Sequence, residues 1–200
     1  MKVLIFDSET GGTSPKRHSV MSVGWLAGNL DTGEIFDTFE AYHKLPSLSD
    51  YIVSPGAIEI HSITPEKAFA EGVTTEVIQE AFADFHTKHS VSHIGGHNVP
   101  FDVEFFTFQI FKFAETEQFR ANFGYRMIDS LSYTRLLSGL DDVKSGQMLK
   151  QACKAFNIDM SDYSGKTFHG ALFDSVASFR IMHKFRRVFS NPEIAKLLSV

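Results

Sequence analysis

Asp7 and Glu9 stand two residues apart in FDSET, directly after an apolar run. On a β-strand, residues i and i+2 point to the same face, so these carboxylates lie side by side and repel unless a cation or a shared proton sits between them. Asp174 is misplaced in another way. At about 100° per residue it falls on a helix in line with Ala177, Ile181, Phe185 and Val188, an apolar stripe, while Arg180, Lys184 and Arg187 take the opposite face. An ionised carboxylate there costs several kcal/mol unless it is paired or holds a metal. Asp102 repeats the pattern with Phe105, Phe106, Ile110 and Phe113. Each acid also has an ordinary explanation: a turn after the strand for Asp7 and Glu9, and a salt bridge or a favourable charge at a helix N-terminus for Asp102 and Asp174. His169, five residues before Asp174, would stand about 140° from it on one continuous helix. It is therefore expected in the loop YSGKTFHG ahead of the helix, free to point at the same place.

Placing such groups together takes strands that end beside helix starts. Residues 2–6 read as a buried strand that delivers Asp7 to its carboxyl end. Residues 19–30 and 35 to about 43 read as two more strands, and the turn Asp31-Thr32-Gly33 makes them an antiparallel hairpin. Pro46, Pro55 and Pro65 mark residues 45–72 as loop with short helical turns. A helix is expected from 74 to about 89, a buried strand at 91–96, and a helix from Pro100 to about 113. Then come a strand at 125–128, helices near 130–137 and 145–156, a long helix at about 171–189, and a short one after Pro192. This order describes a mixed sheet with helices packed on it. No repeat or linker divides the 200 residues, so residues 1–200 read as one domain.

The chain carries 24 acidic and 19 basic residues, a net charge of −5, which argues at first against partners that present long stretches of phosphate backbone. An apolar share of 43% and a charged share of 22% exclude a disordered chain. No run approaches the roughly 18 apolar residues that cross a bilayer, so no membrane partner is expected. The amino terminus lacks the pattern of a secretory signal, and a cytoplasmic setting is the default expectation. The single cysteine, Cys153, can form neither an internal disulfide nor, by itself, a thiolate metal site, and is expected as a small buried residue in a helix.

Taken in order, FDSET, GHNVPFD, MIDSLSY and HGALFDS resemble the motifs of the DEDDh family, the DnaQ-like 3′→5′ exonucleases, over about residues 3–185. The resemblance implies an α/β ribonuclease H-like fold with a mixed five-stranded sheet flanked by helices. It implies that Asp7, Glu9, Asp102 and Asp174 are the catalytic acids and metal ligands for two Mg2+ or Mn2+ ions. Asp7 would bridge both ions, Glu9 and Asp174 complete one, and Asp102 serve the other directly or through water. His169 would be the general base. AIEIHSIT is similar to the family's helix-turn beside the terminal nucleotide, which brings in His61 as a substrate contact. Asn98 would be a supporting or substrate contact, and Thr10 with Gly11 would offer backbone groups near the 3′ end.

The implied substrate is the 3′ end of single-stranded nucleic acid, with DNA slightly favoured, cut to nucleoside 5′-monophosphates. Most of the 20 phenylalanines are expected in the core, with Phe101, Phe106 and Phe168 as the ones that reach bases. Two bound divalent ions would leave a net charge of about −1, so the first inference narrows: the chain should grip only a few nucleotides. An exoribonuclease or oligoribonuclease of the same family is the alternative. An inactive nucleic-acid-binding module is a distant one, because every catalytic position is filled. A haloacid dehalogenase-type phosphatase would place Asp at position 9 and leaves GHNVPFD and His169 unexplained. The tail NPEIAKLLSV is short and no polymerase-binding extension is evident, so a free-standing trimming or repair enzyme is expected over a polymerase-bound proofreader. The oligomeric state is not legible.

Overall fold

Residues 3–6 are apolar at every position because the strand they build is covered on both faces. In the computed structural model, which describes residues 1–111, 127–138, 148–163 and 169–198, β1 (Lys2–Thr10) is the centre of a five-stranded sheet. β2 (Val20–Asn29) and β3 (Glu34–Tyr42) form the antiparallel half, while β4 (His93–Gly96) and β5 (Met127–Asp129) form the parallel half, in the order β3-β2-β1-β4-β5. The hairpin turn closes through Gly33 at φ +79°, a backbone region that glycine enters without a Cβ clash. The helices are α1 (Pro55–His61), α2 (Pro65–Glu71), α3 (Thr75–His89), α4 (Val99–Phe105), α5 (Ser130–Ser138), α6 (Met148–Ala155), α7 (Ala171–Phe189) and α8 (Pro192–Leu198). This is the mixed, helix-flanked sheet expected from the order of elements.

Alternation along β1 sorts the core into two layers. Leu4 and Phe6 belong to the cluster that holds Trp25, Ile78, Phe82, Phe105 and Phe106, which covers one face with α3 and α4. Val3 and Ile5 belong to the cluster that holds Leu172, Val176, Phe179 and Met182 of α7 on the other. By the same alternation Ser8 faces α4, whereas Asp7 and Glu9 face α7.

Several expectations are corrected. β1 does not stop at Phe6 but continues to Thr10, so Asp7 and Glu9 lie inside the strand, opposite Gly24 and Ser22. The segment 45–72 holds two helices as well as a single helical turn. Pro55 and Pro65 are the first residues of α1 and α2, capped by Ser54 and Thr64, because proline lacks the N–H that a first helical residue leaves unpaired. The helix from Pro100 is shorter than expected: α4 ends at Phe105 and runs into a π-helical turn at Phe106–Ile110, after which Phe111 is extended. Phe113, residues 125–126, residues 145–147 and Phe168 lie outside the described residues. The apolar stripe of α7 also ends early, since Val188 is 40% exposed.

Phe106 is corrected most sharply. It is 0% exposed, and its ring packs edge-on against Phe6 at 4.8 Å, so it is core and unavailable to a base. Phe101 is partly exposed and its ring lies tilted against that of Phe105 at 4.9 Å.

α7 reaches the sheet because β2 has no side chain where it lands. A Cβ on Gly24 would fall onto the backbone of Ala171 and Leu172, and the Ser175 hydroxyl donates to the Gly24 carbonyl at 2.9 Å. Gly24→Ala is therefore expected to push the first turn of α7 outward, at a cost of about 1–3 kcal/mol. Because Asp174 rides on that turn, Mn2+ affinity should weaken along with stability; urea unfolding together with Mn2+ calorimetry checks both.

Candidate active site

The strand ends and helix starts converge on an open cleft of about 550 Å³ at the carboxyl ends of β1 and β4, where open α/β sheets commonly bind ligands. Asp7, Glu9, Asp102, Asp174 and His169 all line it. One ligating atom from each of Glu9, His169 and Asp174 lies within 4.8 Å of the other two. The residues singled out by spacing on separate elements are thus brought together.

Each acid is held differently. Asp102, buried in the first turn of α4, accepts two hydrogen bonds on Oδ1, from the Ser8 N–H at 2.9 Å and the Ser8 hydroxyl at 2.7 Å. Asp174 accepts from the His169 N–H on Oδ2 at 3.2 Å, while its Oδ1 is buried without a hydrogen-bond partner. Glu9 is buried and has no hydrogen-bond donor among the described residues.

Burial raises the proton affinity of all four, and repulsion from the other acids adds to it at Asp7 and Glu9. Asp7 is pushed well above the carboxylate range by burial and then by Asp102, Asp174 and Glu9. Burial, with Asp174 and Asp102 nearby, raises Glu9 to about 8. Asp102 and Asp174 rise to about 7, again through burial, despite the hydrogen bonds they accept. Four such groups on one cleft make a poor acid cluster but a good cation site. The donors are hard carboxylate oxygens with an imidazole and no thiolate, and the orphaned Asp174 Oδ1 needs a partner; the set fits a divalent cation such as Mg2+ or Mn2+.

His169 sits just before α7 at φ +70°, the left-handed region, which holds its N–H on Asp174. Burial lowers its proton affinity, and the charge of Lys150 lowers it further. The ring is therefore neutral at pH 7 and able to accept a proton.

The other expected contacts fare variously. His61 lines the cleft, but Nδ1 accepts from the Ile63 N–H at 3.0 Å, so Nε2 carries the proton and donates to the Thr10 carbonyl at 3.2 Å. Its imidazole ties α1 to the end of β1, and only its ring face is left for a ligand. The Gly11 backbone is likewise engaged, its N–H by the Ser19 carbonyl and its carbonyl by the Ser54 N–H. The Thr10 hydroxyl donates to the Gly12 carbonyl. Asn98, at φ +68°, is exposed at the cleft with its N–H on Asp129 Oδ1 at 2.7 Å.

Spacing alone missed three supports. Ser8, between the two acids of β1, anchors Asp102 from the opposite face of the strand. Asp129 accepts from Asn98, Leu131 and Ser132, joining the start of α5 to the loop after β4. The Ser130 hydroxyl donates to the Gly96 carbonyl at 3.1 Å and therefore accepts from His97 Nδ1 at 2.8 Å. Burial pushes His97 down to about 4, so it is neutral, with Nε2 a buried acceptor lacking a partner.

Fold and cleft together define a member of a known enzyme class. The RNase_T exonuclease family model matches residues 4–182, and the chain belongs to that family. It is similar to the PolC-type DNA polymerase III of Pediococcus pentosaceus, 26% identical over 184 residues that make up 92% of this chain and 11% of that one. Among solved structures it resembles E. coli exonuclease I in a zinc-bound complex with single-stranded DNA, at 22% identity and a TM-score of 0.67, covering 98% of this chain and 42% of that one. Exonuclease I from Methylocaldum szegediense matches at 20% identity and a TM-score of 0.64, covering 98% and 45%. The chain thus spans less than half of exonuclease I and a small part of the polymerase, and the structural likeness is one of fold. Among the described residues no helix is long and apolar enough to cross a membrane.

Proposed function

We propose that this domain is a divalent-metal-dependent 3′→5′ exonuclease that shortens single-stranded DNA from its 3′ end. The observation that carries the reading is the gathering of Glu9, His169 and Asp174 within 4.8 Å beside Asp7 and Asp102 in one open cleft. That the E. coli relative is described in complex with single-stranded DNA supports DNA over RNA. Asp7, Glu9, Asp102 and Asp174 would hold two Mg2+ or Mn2+ ions. Bound there, the ions neutralise the charge that builds on the attacking and leaving oxygens at phosphorus.

The remaining steps belong to the chain's own residues. Ser8 fixes the Asp102 carboxylate, and the backbone of His169 fixes that of Asp174. A ring nitrogen of His169 takes a proton from the attacking water. The water oxygen bonds to phosphorus, the bond from phosphorus to the 3′ oxygen breaks, and that oxygen takes up a proton from solvent to become the new 3′ hydroxyl. The product is a nucleoside 5′-monophosphate. Asn98 and the face of His61 would meet the terminal nucleotide.

The test is a digestion of 5′-labelled DNA, RNA and dinucleotides with Mg2+, Mn2+ or a chelator. A ladder shrinking from the 3′ end, faster on DNA and abolished by the chelator, is expected. Absence of metal-dependent release from every substrate would overturn the nuclease reading, and faster RNA decay would overturn the sugar preference.

A further inference from the structure

The cleft has two unlike walls. Arg135 on α5 and Lys150 on α6 are the only lysine or arginine side chains that line it among the described residues. Both are exposed, and neither makes an ion pair or hydrogen bond with another described residue. The two helices pack against each other, which places both cations on one side, Arg135 toward His97 and Lys150 toward His169. Across the cleft, Thr13, Ser54, Ala57 and Ile60 line the wall built by α1 and the loop after β1, and none of them is charged. Ile60 is 55% exposed there, an apolar surface at the rim. A nucleic acid strand is built the same way, with an anionic edge of phosphates and an apolar edge of bases. Such a strand would lie in the cleft in one orientation, phosphates toward α5 and α6, bases toward α1.

We propose that Arg135 and Lys150 form a phosphate-binding ridge that holds the backbone just 5′ of the terminal nucleotide and so sets the path by which the strand leaves the cleft. The proposal rests on the nuclease reading above and names two positioning residues for it. The need for such a ridge follows from charge. The chain carries −5 overall and places four carboxylates at the cleft floor, so among the described residues an incoming polyanion meets the positive charge of a lysine or arginine only at these two side chains. With no partner among the described residues, the guanidinium and ammonium groups give up no described contact when they engage a phosphate.

The experiment uses the full chain and a 5′-fluorescein oligothymidylate, with binding followed by anisotropy in chelator so that no hydrolysis intrudes. The double variant Arg135→Gln, Lys150→Gln is expected to bind about tenfold more weakly at low salt, and its plot of log affinity against log salt should flatten by about 1.4, the value for two lost contacts to a single strand. Arg135→Lys with Lys150→Arg keeps both charges and should retain the parental slope. In Mn2+, hydrolysis of the p-nitrophenyl ester of thymidine 5′-monophosphate, which has one phosphodiester and no upstream phosphate, should be unchanged by Arg135→Gln alone, while KM for the oligonucleotide rises. Unchanged affinity and slope would overturn the proposal, as would equal losses on ester and oligonucleotide. Should the parental protein cleave neither substrate, the nuclease reading fails, and the anisotropy comparison still decides the ridge.

Discussion

His169→Ala is expected to lower turnover by about 10²–10⁴-fold, the usual contribution of a general base, while leaving Mn2+ affinity nearly unchanged. The separation of the two effects is the informative part. The His169 side chain stands beside Glu9 and Asp174 and is close enough to be a ligand itself, but its backbone N–H is what orders Asp174, and that bond survives replacement of the side chain. A ring nitrogen kept neutral by burial and by Lys150 is ready to receive a proton. Alanine at φ +70° introduces strain of its own, so His169→Asn is the companion variant: asparagine tolerates the left-handed region and offers no basic nitrogen. Both variants should lose turnover alike. Mn2+ calorimetry and single-turnover hydrolysis on the same preparations decide the matter. A fall in Mn2+ affinity that tracks the fall in rate would make His169 a ligand instead, and undiminished hydrolysis would remove it from the chemistry.

The four acids stood out in the sequence because each breaks a local rule, whereas His169 was drawn in by its place just ahead of Asp174 and by the motif it shares with it. A carboxylate on an apolar helical stripe or a pair at i and i+2 on a strand is visible without a fold, and the order of the motifs tied them to one family. The groups that hold them were not legible. Ser8 meets Asp102 across 94 residues, His97 meets Ser130 across 33, and Asp129 meets Asn98 across 31, contacts that exist only once β1, β4 and β5 lie side by side. Local chemistry was ambiguous elsewhere. A proline marks a loop or the first residue of a helix, and in α1 and α2 the serine or threonine before it was the cue that decided. Phe106 shares its helical face with Phe105, and aromatic rings beside a motif read alike whether they stack on bases or fill a core; only the edge-on contact with Phe6 distinguishes them.

Asp7→Asn is expected to abolish activity and ion-dependent stabilisation together, yet to make the metal-free protein more stable at alkaline pH. The sign follows from linkage. Stability falls with rising pH wherever the folded state binds more protons than the unfolded one. Asp7, Glu9, Asp102 and Asp174 are all raised in the folded state, chiefly by burial and, for Asp7 and Glu9, by the other acids, so their contribution is complete below their ordinary values near 4 and, for Glu9, Asp102 and Asp174, is lost as pH climbs through about 7 to 8. Without metal the parental protein should therefore melt lower at about pH 8 than at about pH 5, and removing one charge from the cluster should flatten that slope. A divalent ion reverses the penalty by supplying the missing positive charge. At about 100 times its dissociation constant it contributes about 2.7 kcal/mol, or a rise of about 5–10 °C for a chain of this size. Melting curves with and without Mn2+ at both pH values test all of this at once. The parental protein should gain most from Mn2+ at the higher pH, and Asp7→Asn should gain little at either. Equal gains in the two proteins would place the ion away from Asp7, and a metal-free parental protein that melts higher at the alkaline value would show that the carboxylates are not held above their ordinary range. Loss of activity without loss of the Mn2+ shift would separate the two roles assigned to Asp7 and leave it acting on the substrate rather than on the ions.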